Sequence, residues 1–520
     1  MTLLPDWLAQ RAAAAGARPA LLHGDRCWTF AELNAEADEL AARLRQAGVQ
    51  RGQRLGLLLG SDSTFVAAVH AAPRLGITLV PLNLRLKPDE LGWQLAHAEV
   101  SWLLHDADHE ALAGAAAESQ LRTTESHRPK PPSPAAEQLT QAGLRLLAAG
   151  EMDLNDTPNP RAPAESPALI DLQQTHSIVF TSGTTGRPKG ALLSYGNLWW
   201  SAIGAALNVG LSNSDRLLAC LPLYHVGGLS TLFRGAIYGC TVILQNGFDA
   251  RAVNAAIDEQ GATAISVVAV TLRRLLDDRG ARPFPASLRC VLAGGGPVPR
   301  ALLEECAACG LPVLQTYGLT ESAAQAVTLS PVDALRKLGS AGRPLPQVQL
   351  RIVAGEREAG PNEAGEIFLR GPSIMRGYLG EPPLPEGWLA TGDIGWLDAE
   401  GYLYVGDRRD DLIISGGENV YPAEVEAALL AHPAVAEAGV VGVPDERWGQ
   451  VPAALAVLHS GSAAVDEADL LAFCRQRLAS YKVPTSVRFV AALPRTSSGK
   501  LMRHQLRTTL AEGVSVNGAH

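Results

Sequence analysis

The feature that most constrains the fold is a repeated alternation of short apolar runs with amphipathic stretches of helical period. Residues 53–59 and 77–81 have the length and composition of buried strands, whereas residues 31–48 and 63–72 have the apolar spacing of helices. The alternation resumes over residues 176–326. Strands that alternate with helices in this way form mainly parallel sheets covered by helices. The sequence therefore predicts an α/β fold made of layers.

The pattern changes in the last third of the chain. Residues 348–404 contain short strand-like runs separated by Gly-rich turns, which is typical of a small barrel or an antiparallel sheet. After Asp410 the alternation returns in a compact α+β segment. A chain of 520 residues is too long for one ordinary core. We therefore expect a large N-terminal domain over residues 1–409 and a small C-terminal domain over residues 410–520.

Two stretches of the large domain are rich in proline, at residues 128–134 and 155–167. Proline does not fit the interior of a regular helix or a central strand. We interpret both stretches as surface connections, and we expect a short helix between them at residues 135–149.

Charge and composition argue against several classes of protein. The chain has 44 basic and 53 acidic side chains, a net charge of −9, which argues against non-specific binding to nucleic acid. Its apolar runs are too short to cross a bilayer. The first residues lack the features of a secretory signal, and the seven cysteines are scattered. These observations favour a protein of the reducing cytoplasm.

A loop of hydroxyl and glycine residues follows the apolar strand at residues 178–180. Glycines let backbone N–H groups approach an anion, hydroxyls add donors, and a lysine adds a positive charge. The lysine is followed by Gly190 instead of Ser or Thr, so the loop is not a Walker A motif. An ordinary flexible turn is the alternative. The residues predicted to bind a polyphosphate are Thr181, Ser182, Gly183, Thr184, Thr185, Gly186 and Lys189.

Three further residues have the chemistry that a nucleotide site needs. Glu321 follows an apolar strand closely and offers a hard oxygen ligand for Mg²⁺, although a solvated carboxylate is the commoner fate of a lone glutamate. Tyr317 offers a ring face to adenine, or it is a half-buried core side chain. Asp393 follows a tight turn and can accept hydrogen bonds from ribose hydroxyls, or it is a plain turn residue.

The loop at residues 181–190 resembles the phosphate loop of the adenylate-forming superfamily, which contains acyl-CoA synthetases, luciferases and peptide-synthetase adenylation domains. Four further segments resemble those of the superfamily and follow in the same order: the adenine and magnesium segment at 315–321, the ribose-binding turn at 391–393, the hinge and thiol-tunnel loop at 408–424, and the C-terminal lysine loop at 494–500. Asp407 departs from the pattern, because family members usually have glycine at this position. The resemblance spans nearly the whole chain and implies an acid–thiol ligase that forms an acyl-adenylate.

The resemblance also implies ligands and roles. ATP, Mg²⁺ and CoA are the implied ligands, with Glu321 on the metal. Lys500 and Thr320 are implied to act in adenylate formation. His225 is implied to gate the acid pocket or the thiol tunnel, although a hydrogen-bonded structural histidine is an equal alternative. Asp410 is implied to be the hinge of a mobile small domain. The remaining residues implied to contact the nucleotide, the acid or CoA are Gly294, Gly295, Gly296, Pro297, Gln315, Thr316, Tyr317, Gly318, Asp393, Arg408, Gly416 and Gly417.

Three stretches are similar to those of o-succinylbenzoate–CoA ligases of menaquinone biosynthesis: residues 205–244, 292–297 and 315–344. This resemblance implies an aryl keto-diacid substrate that is activated at its succinyl carboxylate. The aromatic carboxylate then needs a partner, and Arg234 is the residue we select, because a guanidinium can hold a carboxylate bidentately. A surface arginine on a helix is the alternative. His225, Ser230 and Thr271 are further candidates for contact with the acid.

Other functions remain open from the sequence alone. A ligase for a medium-chain fatty acid or a simple aryl acid would have an apolar pocket without a cation. An adenylation module that loads a carrier protein would not use CoA. A luciferase-like oxidase has no specific support. The oligomeric state is also left open, and a homo-oligomer is compatible with the sequence.

Overall fold

The computed structural model describes residues 2–126, 144–152, 169–181, 188–296, 298, 300–405, 412–459, 465–494 and 501–512. Within these ranges the chain forms five β-sheets with helices packed against them. Three of the sheets contain parallel strand pairs, and the helices lie between successive strands in the sequence. The predicted α/β class is therefore confirmed.

Local signals fix the ends of the helix Phe30–Ala47. The Thr29 hydroxyl accepts a hydrogen bond from the Glu32 N–H at 3.2 Å, and the Glu32 carboxylate accepts one from the Thr29 N–H at 2.7 Å. This reciprocal pair is a capping box. The helix ends at Gly48, whose φ of 104° is a left-handed conformation that favours glycine. The predicted bounds agree with the observed ones to within a residue.

A six-stranded sheet forms one α/β layer and carries the strand that leads into the predicted phosphate loop. Its strands, in spatial order, are Lys189–Ser194, Thr175–Thr181, Thr78–Pro81, Arg54–Leu58, Trp102–His105 and Arg145–Ala148. The first two strands pair antiparallel, and the others pair parallel. The helices packed in this part of the chain are Trp7–Ala15, Phe30–Ala47, Ser63–Leu75, Pro88–His97 and Glu110–Ser126.

The helix Ser63–Leu75 continues past Pro73, whereas the sequence predicts its end at residue 72. Proline lacks the N–H that would bond the carbonyl four residues earlier, which is that of Val69. Nε2 of His176, on the neighbouring strand Thr175–Thr181, lies 3.3 Å from the Val69 carbonyl oxygen and replaces the missing donor. The helix therefore ends later than predicted, because a contact from another strand supplies the hydrogen bond that the Val69 carbonyl would otherwise lack.

A nine-stranded sheet forms the second α/β layer. Its strands, in spatial order, are Arg343–Pro344, Val327–Thr328, Val313–Tyr317, Cys290–Ala293, Ala264–Val267, Arg216–Ala219, Thr241–Leu244, Pro19–His23 and Arg26–Thr29. The six strands from Val313–Tyr317 to Pro19–His23 pair parallel. Its helices are Tyr195–Val209, Val226–Tyr238, Ala250–Asp258, Ala269–Arg279 and Arg300–Ala308. The carboxyl ends of the parallel strands consequently share one edge, where ligands bind in such sheets.

A five-stranded antiparallel sheet follows, as the Gly-rich turns predict. Its strands, in spatial order, are Arg357–Glu358, Gln349–Ala354, Gly365–Arg370, Leu389–Leu397 and Leu403–Val405. A separate two-stranded sheet joins Leu3–Pro5 to Leu169–Asp171. Single 3₁₀ turns occur at Ala107–His109, Ala149–Met152, Thr320–Ser322, Pro385–Gly387 and Ser480–Lys482.

The helix predicted at residues 135–149 is wrong for the part that the structure describes. Residues Arg145–Ala148 form a strand that pairs parallel with Trp102–His105 at the edge of the six-stranded sheet. Leu147 is buried and Leu146 is exposed, as expected for a strand with one covered face. Residues 135–143 lie outside the described ranges.

The last sheet is built from residues after 412. Its strands Glu418–Val420, Ile413–Ser415, Gly449–Leu458 and Val435–Asp445 pair antiparallel, and Val487–Phe489 joins Gly449–Leu458 in parallel. The helices Pro422–Leu430, Glu467–Arg477 and Arg503–Glu512 accompany it. The predicted domain boundary lies at residues 406–411, outside the described ranges, so the division at 409/410 stays a prediction. Among the described helices, none combines the length and the apolar character that a membrane span requires.

Candidate active site

Two glycine segments follow the carboxyl ends of adjacent parallel strands. Gly294, Gly295 and Gly296 follow Cys290–Ala293, and Gly318 follows Val313–Tyr317. A Cβ on Gly294 would lie 2.7 Å from the Thr316 methyl group, and a Cβ on Gly318 would lie 1.6 Å from the Ala324 carbonyl oxygen. Both positions therefore exclude a side chain. Gly294 and Gly318 thus leave bare backbone at the sheet edge where ligands bind in such folds.

A hydrogen bond links the predicted adenine segment to the predicted ribose turn. The Tyr317 hydroxyl donates to Oδ2 of Asp393 at 2.7 Å, and both side chains are buried. The Asp393 N–H donates to the Thr391 hydroxyl at 3.1 Å, and the Gly392 N–H donates to Glu366 at 2.9 Å. These bonds hold the Asp393 carboxylate in a fixed position. The stacking of Tyr317 on adenine stays a prediction.

The predicted phosphate lysine and the predicted metal ligand meet at one tyrosine. Lys189 pairs with Thr181 in the antiparallel register, and its Nζ lies 4.9 Å from the centre of the Tyr378 ring. Lys189 also contacts Glu381 at 2.9 Å. The Tyr378 hydroxyl donates to Oε1 of Glu321 at 2.6 Å. Burial and the Glu321 charge raise the pKa of Tyr378, so it remains a neutral donor at physiological pH.

A short 3₁₀ turn, Thr320–Ser322, presents Thr320 and Glu321 together. Ala323, directly after it, has a φ of 53°. Its carbonyl accepts a hydrogen bond from the buried Ser201 hydroxyl at 2.6 Å, and the Met375 N–H donates to the Glu321 carbonyl at 2.8 Å. The turn is therefore held from two sides, which fixes the direction of the Glu321 side chain.

Arg234 lies in a pocket between the nine-stranded sheet and the helices that cover it. Arg234 is only 6% exposed, and burial lowers the pKa of Arg234 to about 10, so it stays protonated at neutral pH. Among the described residues, no carboxylate contributes to its electrostatic surroundings, and its Nε has no hydrogen-bond partner. The alternative of a surface arginine is therefore wrong.

Gln325 connects this arginine to the strand of the predicted adenine segment. Arg234 Nη2 donates to Gln325 Oε1 at 3.0 Å, and Gln325 Nε2 donates to the Thr328 hydroxyl at 3.3 Å. The Thr316 and Thr328 hydroxyls lie 2.8 Å apart. The predicted contact residue Gln315 instead donates to the Ser340 carbonyl at 3.0 Å, inside the core.

Two of the predicted acid contacts bond to their own helices. The Ser230 hydroxyl donates to the Gly227 carbonyl at 3.1 Å, and the Thr271 hydroxyl donates to the Val268 carbonyl at 2.9 Å. Thr231 and Ser266 line the Arg234 pocket instead. The sequence carried a signal for Thr231, because it lies three residues before Arg234 and so on the same helix face.

His225 contacts a carboxylate of the C-terminal segment. Its Nε2 lies 3.0 Å from Oε2 of Glu418, and Arg85 donates to the other oxygen at 3.2 Å. The Asn83 amide and the Tyr224 hydroxyl contact the same carboxylate. Burial opposes the charge of Glu418, but the charges and hydrogen bonds of His225 and Arg85 outweigh it and lower its pKa to about 2. The sequence analysis missed Glu418.

The predicted thiol-tunnel loop lies against the glycine segment. A Cβ on Gly296 would lie 2.7 Å from the Ile414 side chain, and a Cβ on Gly417 would lie 3.4 Å from that of Val268. A Cβ on Gly416 would lie 2.6 Å from the Trp448 ring. The loop of the predicted small domain thus reaches the strand edge of the large one. The predicted residues outside the described ranges, which stay predictions, are Ser182, Gly183, Thr184, Thr185, Gly186, Pro297, Arg408, Asp410 and Lys500.

The fold and the site together define a class of enzyme. Residues 8–379 match the family described as AMP-binding enzyme, and residues 424–500 match the AMP-binding enzyme C-terminal domain. The chain belongs to the AMP-binding enzyme family.

Particular relatives are similar over nearly their whole length. The chain is 46% identical over 512 residues to the 2-succinylbenzoate–CoA ligase of Geobacillus kaustophilus, covering 98% of each chain. It is 41% identical to a double mutant of o-succinylbenzoate CoA synthetase (MenE) from Bacillus subtilis bound with its product analogue OSB-NCoA, with a TM-score of 0.86 over 97% of this chain and 98% of that chain. The same synthetase with the acyl-adenylate intermediate OSB-AMP is 40% identical, with a TM-score of 0.70 over 98% and 99%. Because the two sequence identities are nearly equal, the difference in TM-score reflects different three-dimensional arrangements of the two relatives.

Proposed function

We propose that this enzyme activates 2-succinylbenzoate with ATP and transfers the acyl group to CoA, a step of menaquinone biosynthesis. The names of its relatives support this substrate. The structural observation that carries the proposal is the buried, protonated Arg234 in a pocket lined mainly by apolar side chains. An isolated buried cation is unfavourable unless it is paired. The aromatic carboxylate of 2-succinylbenzoate would supply that pairing, and the pocket walls would contact its ring.

In the first half-reaction, a succinyl carboxylate oxygen attacks the α-phosphorus of ATP. A new P–O bond forms, the bond to the bridging oxygen between the α- and β-phosphates breaks, and pyrophosphate leaves. Lys189 and the loop that precedes it are assigned to the phosphates. Asp393, fixed by Tyr317, is assigned to the ribose hydroxyls. Thr320 and Lys500 are assigned to the reacting phosphate and carboxylate, where they would stabilise developing negative charge.

In the second half-reaction, the CoA thiol sulfur attacks the acyl carbonyl carbon of the adenylate. A C–S bond forms, the acyl–phosphate C–O bond breaks, AMP leaves and the thiol proton is released. Gly296, Gly416 and Gly417 leave backbone without side chains where the thiol would approach. Glu418 holds His225 at 3.0 Å, beside this approach. We assign His225 to the gate between the acid pocket and the thiol tunnel.

The described residues fit Mg²⁺ bound chiefly by nucleotide. In the part of the chain that the structure describes, no group of three or more His, Cys, Asp or Glu side chains could form an all-protein metal cage. Glu321, half-buried and fixed by Tyr378, is the carboxylate we assign to the ion. Mg²⁺ is commonly held by one or two carboxylates together with substrate phosphates. When bound, the ion would neutralise phosphate charge.

The proposal is tested by the release of pyrophosphate and the formation of thioester. Purified enzyme is incubated with Mg·ATP, CoA and one acid at a time: 2-succinylbenzoate, octanoate, benzoate, and an analogue of 2-succinylbenzoate without the aromatic carboxylate. We expect turnover with 2-succinylbenzoate and a much higher KM for the analogue. Turnover of octanoate or benzoate alone would contradict the substrate but leave the ligase class intact. Pyrophosphate release without thioester, in the presence of CoA, would favour a carrier-loading module.

We also propose a cytoplasmic location, because the proposed reaction consumes ATP and CoA, which are both supplied in the cytosol.

A further inference from the structure

One buried lysine joins the large and small halves of the molecule. Lys482 is 4% exposed, and its Nζ lies 2.6 Å from Oε1 of Glu90 and 2.7 Å from Oε1 of Glu424. Glu90 belongs to the helix Pro88–His97, whereas Glu424 belongs to Pro422–Leu430. The cation is therefore held by one carboxylate from each side of the predicted domain boundary.

Glu90 is also bonded to the backbone on both sides. Its Oε2 accepts hydrogen bonds from the Lys87 N–H at 2.9 Å and the Ala479 N–H at 3.0 Å. The first bond caps its own helix, and the second fixes the turn that carries Lys482. Ala479 is fully buried in a hydrophobic cluster of the large domain that includes Leu91. The segment 479–482 is thus docked on the large domain by both polar and apolar contacts.

A buried ion pair of this kind selects an arrangement more than it adds stability. The pair loses hydration when it forms, and its Coulomb energy offsets that loss only in a good geometry. Removing one partner leaves the other charge buried and unpaired. A contact that exists in one domain arrangement and not in another shifts the balance between them by its differential free energy.

Other contacts show what this arrangement accomplishes. With Lys482 on Glu90, Gly417 of the small domain lies against Val268, and Glu418 lies against His225. These are the contacts at the proposed approach of the thiol. The whole chain also superposes better on the relative bound with a product analogue than on the acyl-adenylate complex of the same enzyme.

We infer that Glu90 and Lys482 are positioning residues for the thioester-forming half-reaction. Their ion pair holds the small domain where its loop can admit the thiol, and it takes no part in adenylate formation. The inference rests on the proposed function, because it needs an enzyme with two half-reactions. Beyond the proposed function, the inference states that the Glu90 carboxylate, which is remote from the reacting atoms, controls thioester formation and not adenylate formation.

The test separates the half-reactions in the Glu90→Gln variant, which keeps the shape of the side chain but removes its charge. Adenylate formation is measured as acid-dependent ATP–pyrophosphate exchange. Thioester formation is measured in a single turnover of preformed acyl-adenylate with CoA. We expect the thioester rate constant to fall about 10-fold or more, and the exchange rate to stay within about 2-fold of wild type.

The matched control is Asp89→Asn, the same change one residue earlier. Asp89 bonds to Ser119 and Arg122 within the large domain, at 2.7 and 3.3 Å. The Asp89→Asn variant should leave the rates of both adenylate and thioester formation unchanged. The Glu90→Asp variant, which retains the charge on a shorter side chain, should show a smaller loss than Glu90→Gln and keeps the test valid if Glu90→Gln does not fold.

The outcomes discriminate between the two proposals. An equal fall in both half-reactions would make Glu90 a purely structural residue and overturn the inference, and so would an unchanged thioester rate. Failure of the proposed function looks different, because wild-type enzyme would then show no exchange with any acid of the panel.

Discussion

Arg234 carries a charge that the described protein does not balance. Its guanidinium donates to a neutral amide, that of Gln325, at 3.0 Å. A protein that keeps a protonated side chain buried usually pairs it with an anion. Arginine also suits a carboxylate better than lysine does, because its N–H groups match the two oxygens. The acid specificity of this enzyme is therefore expected to depend on this one residue.

The Arg234→Met variant tests that expectation. Met fills a similar apolar volume without the charge, so we expect KM for 2-succinylbenzoate to rise by a factor of roughly 30 to 150, corresponding to about 2–3 kcal/mol for a charged hydrogen-bonded pair. KM for the analogue that lacks the aromatic carboxylate should hardly change. Steady-state kinetics with both acids make the comparison. An unchanged KM for 2-succinylbenzoate would remove Arg234 from the acid site.

At the residue scale, the sequence predicted chemistry better than geometry. It selected Arg234, Lys189, Glu321 and Asp393, because each residue type has a specific use in an acid–nucleotide site. It missed Glu418, since the partners of that carboxylate lie about two hundred or more residues away in the sequence and only the folded chain brings them together. Pairings between distant segments are set by topology, which residue spacing does not encode.

At the element scale, the helix Ser63–Leu75 and the strand Thr175–Thr181 share two buried histidines. His176 replaces the hydrogen bond that Pro73 removes, and its ring packs edge-on against Tyr195 and Phe233. His70, in the helix, is buried nearby. Burial lowers the pKa of His70 to about 4 and that of His176 to about 3, so both are neutral in the folded protein at physiological pH.

These histidines predict a pH-dependent stability. Unfolding raises both pKa values toward the ordinary 6.5, so the unfolded chain binds more protons and stability falls with falling pH. The contribution is fully present above about pH 6.5 and is lost progressively down through the folded pKa values. Between pH 7 and pH 5 we expect each histidine to lower the free energy of unfolding by about 2 kcal/mol.

Urea denaturation of the full-length protein at pH 7 and pH 5 measures this loss. The His70→Gln variant carries a side chain that does not titrate, so its loss between the two pH values should be about 2 kcal/mol smaller than that of wild type. An identical pH dependence in wild type and variant would show that His70 is not buried in its neutral form.

The periodic elements were predictable from the sequence because their signals are local. The capping box at Thr29 and the left-handed glycine at Gly48 fix both ends of one helix. The strand Arg145–Ala148 was missed because a four-residue apolar run has no period of its own, and only the neighbouring strand Trp102–His105 decides its conformation. The continuation of a helix past Pro73 was missed for the same reason.

At the scale of the whole molecule, we propose that the arrangement of the C-terminal segment determines which half-reaction can proceed. Gly417 of the predicted thiol-tunnel loop lies against Val268 and Glu418 contacts His225, whereas the family resemblance assigns the C-terminal lysine loop to adenylate formation. The family resemblance implies that a rotation about Asp410 exchanges them. We therefore expect that a mutation in one of the two loops can slow one half-reaction without slowing the other.

The Lys500→Ala variant tests this separation. Loss of the ammonium should slow adenylate formation about 100-fold or more, because positive charge at the reacting phosphate is often the largest catalytic term. Thioester formation from preformed acyl-adenylate should stay near the wild-type rate. Pyrophosphate exchange and single-turnover thioester assays measure the two steps. An equal loss in both would refute the assigned role.

The strand Leu403–Val405 is the last described element before the predicted small domain, and it is hydrogen-bonded along both of its edges. On one side, Leu403 pairs with Leu397 of the strand Leu389–Leu397. On the other side, the Leu403 carbonyl accepts a hydrogen bond from the Ala341 N–H, and the Leu403 N–H donates to the Gly342 carbonyl. A strand anchored twice resists torsion. Twisting of the C-terminal unit would consequently leave Asp393, on the adjoining strand, undisturbed. The acyl-adenylate would then stay bound while the C-terminal loops change places. This mixed anhydride would thereby be kept from dissociating into bulk water.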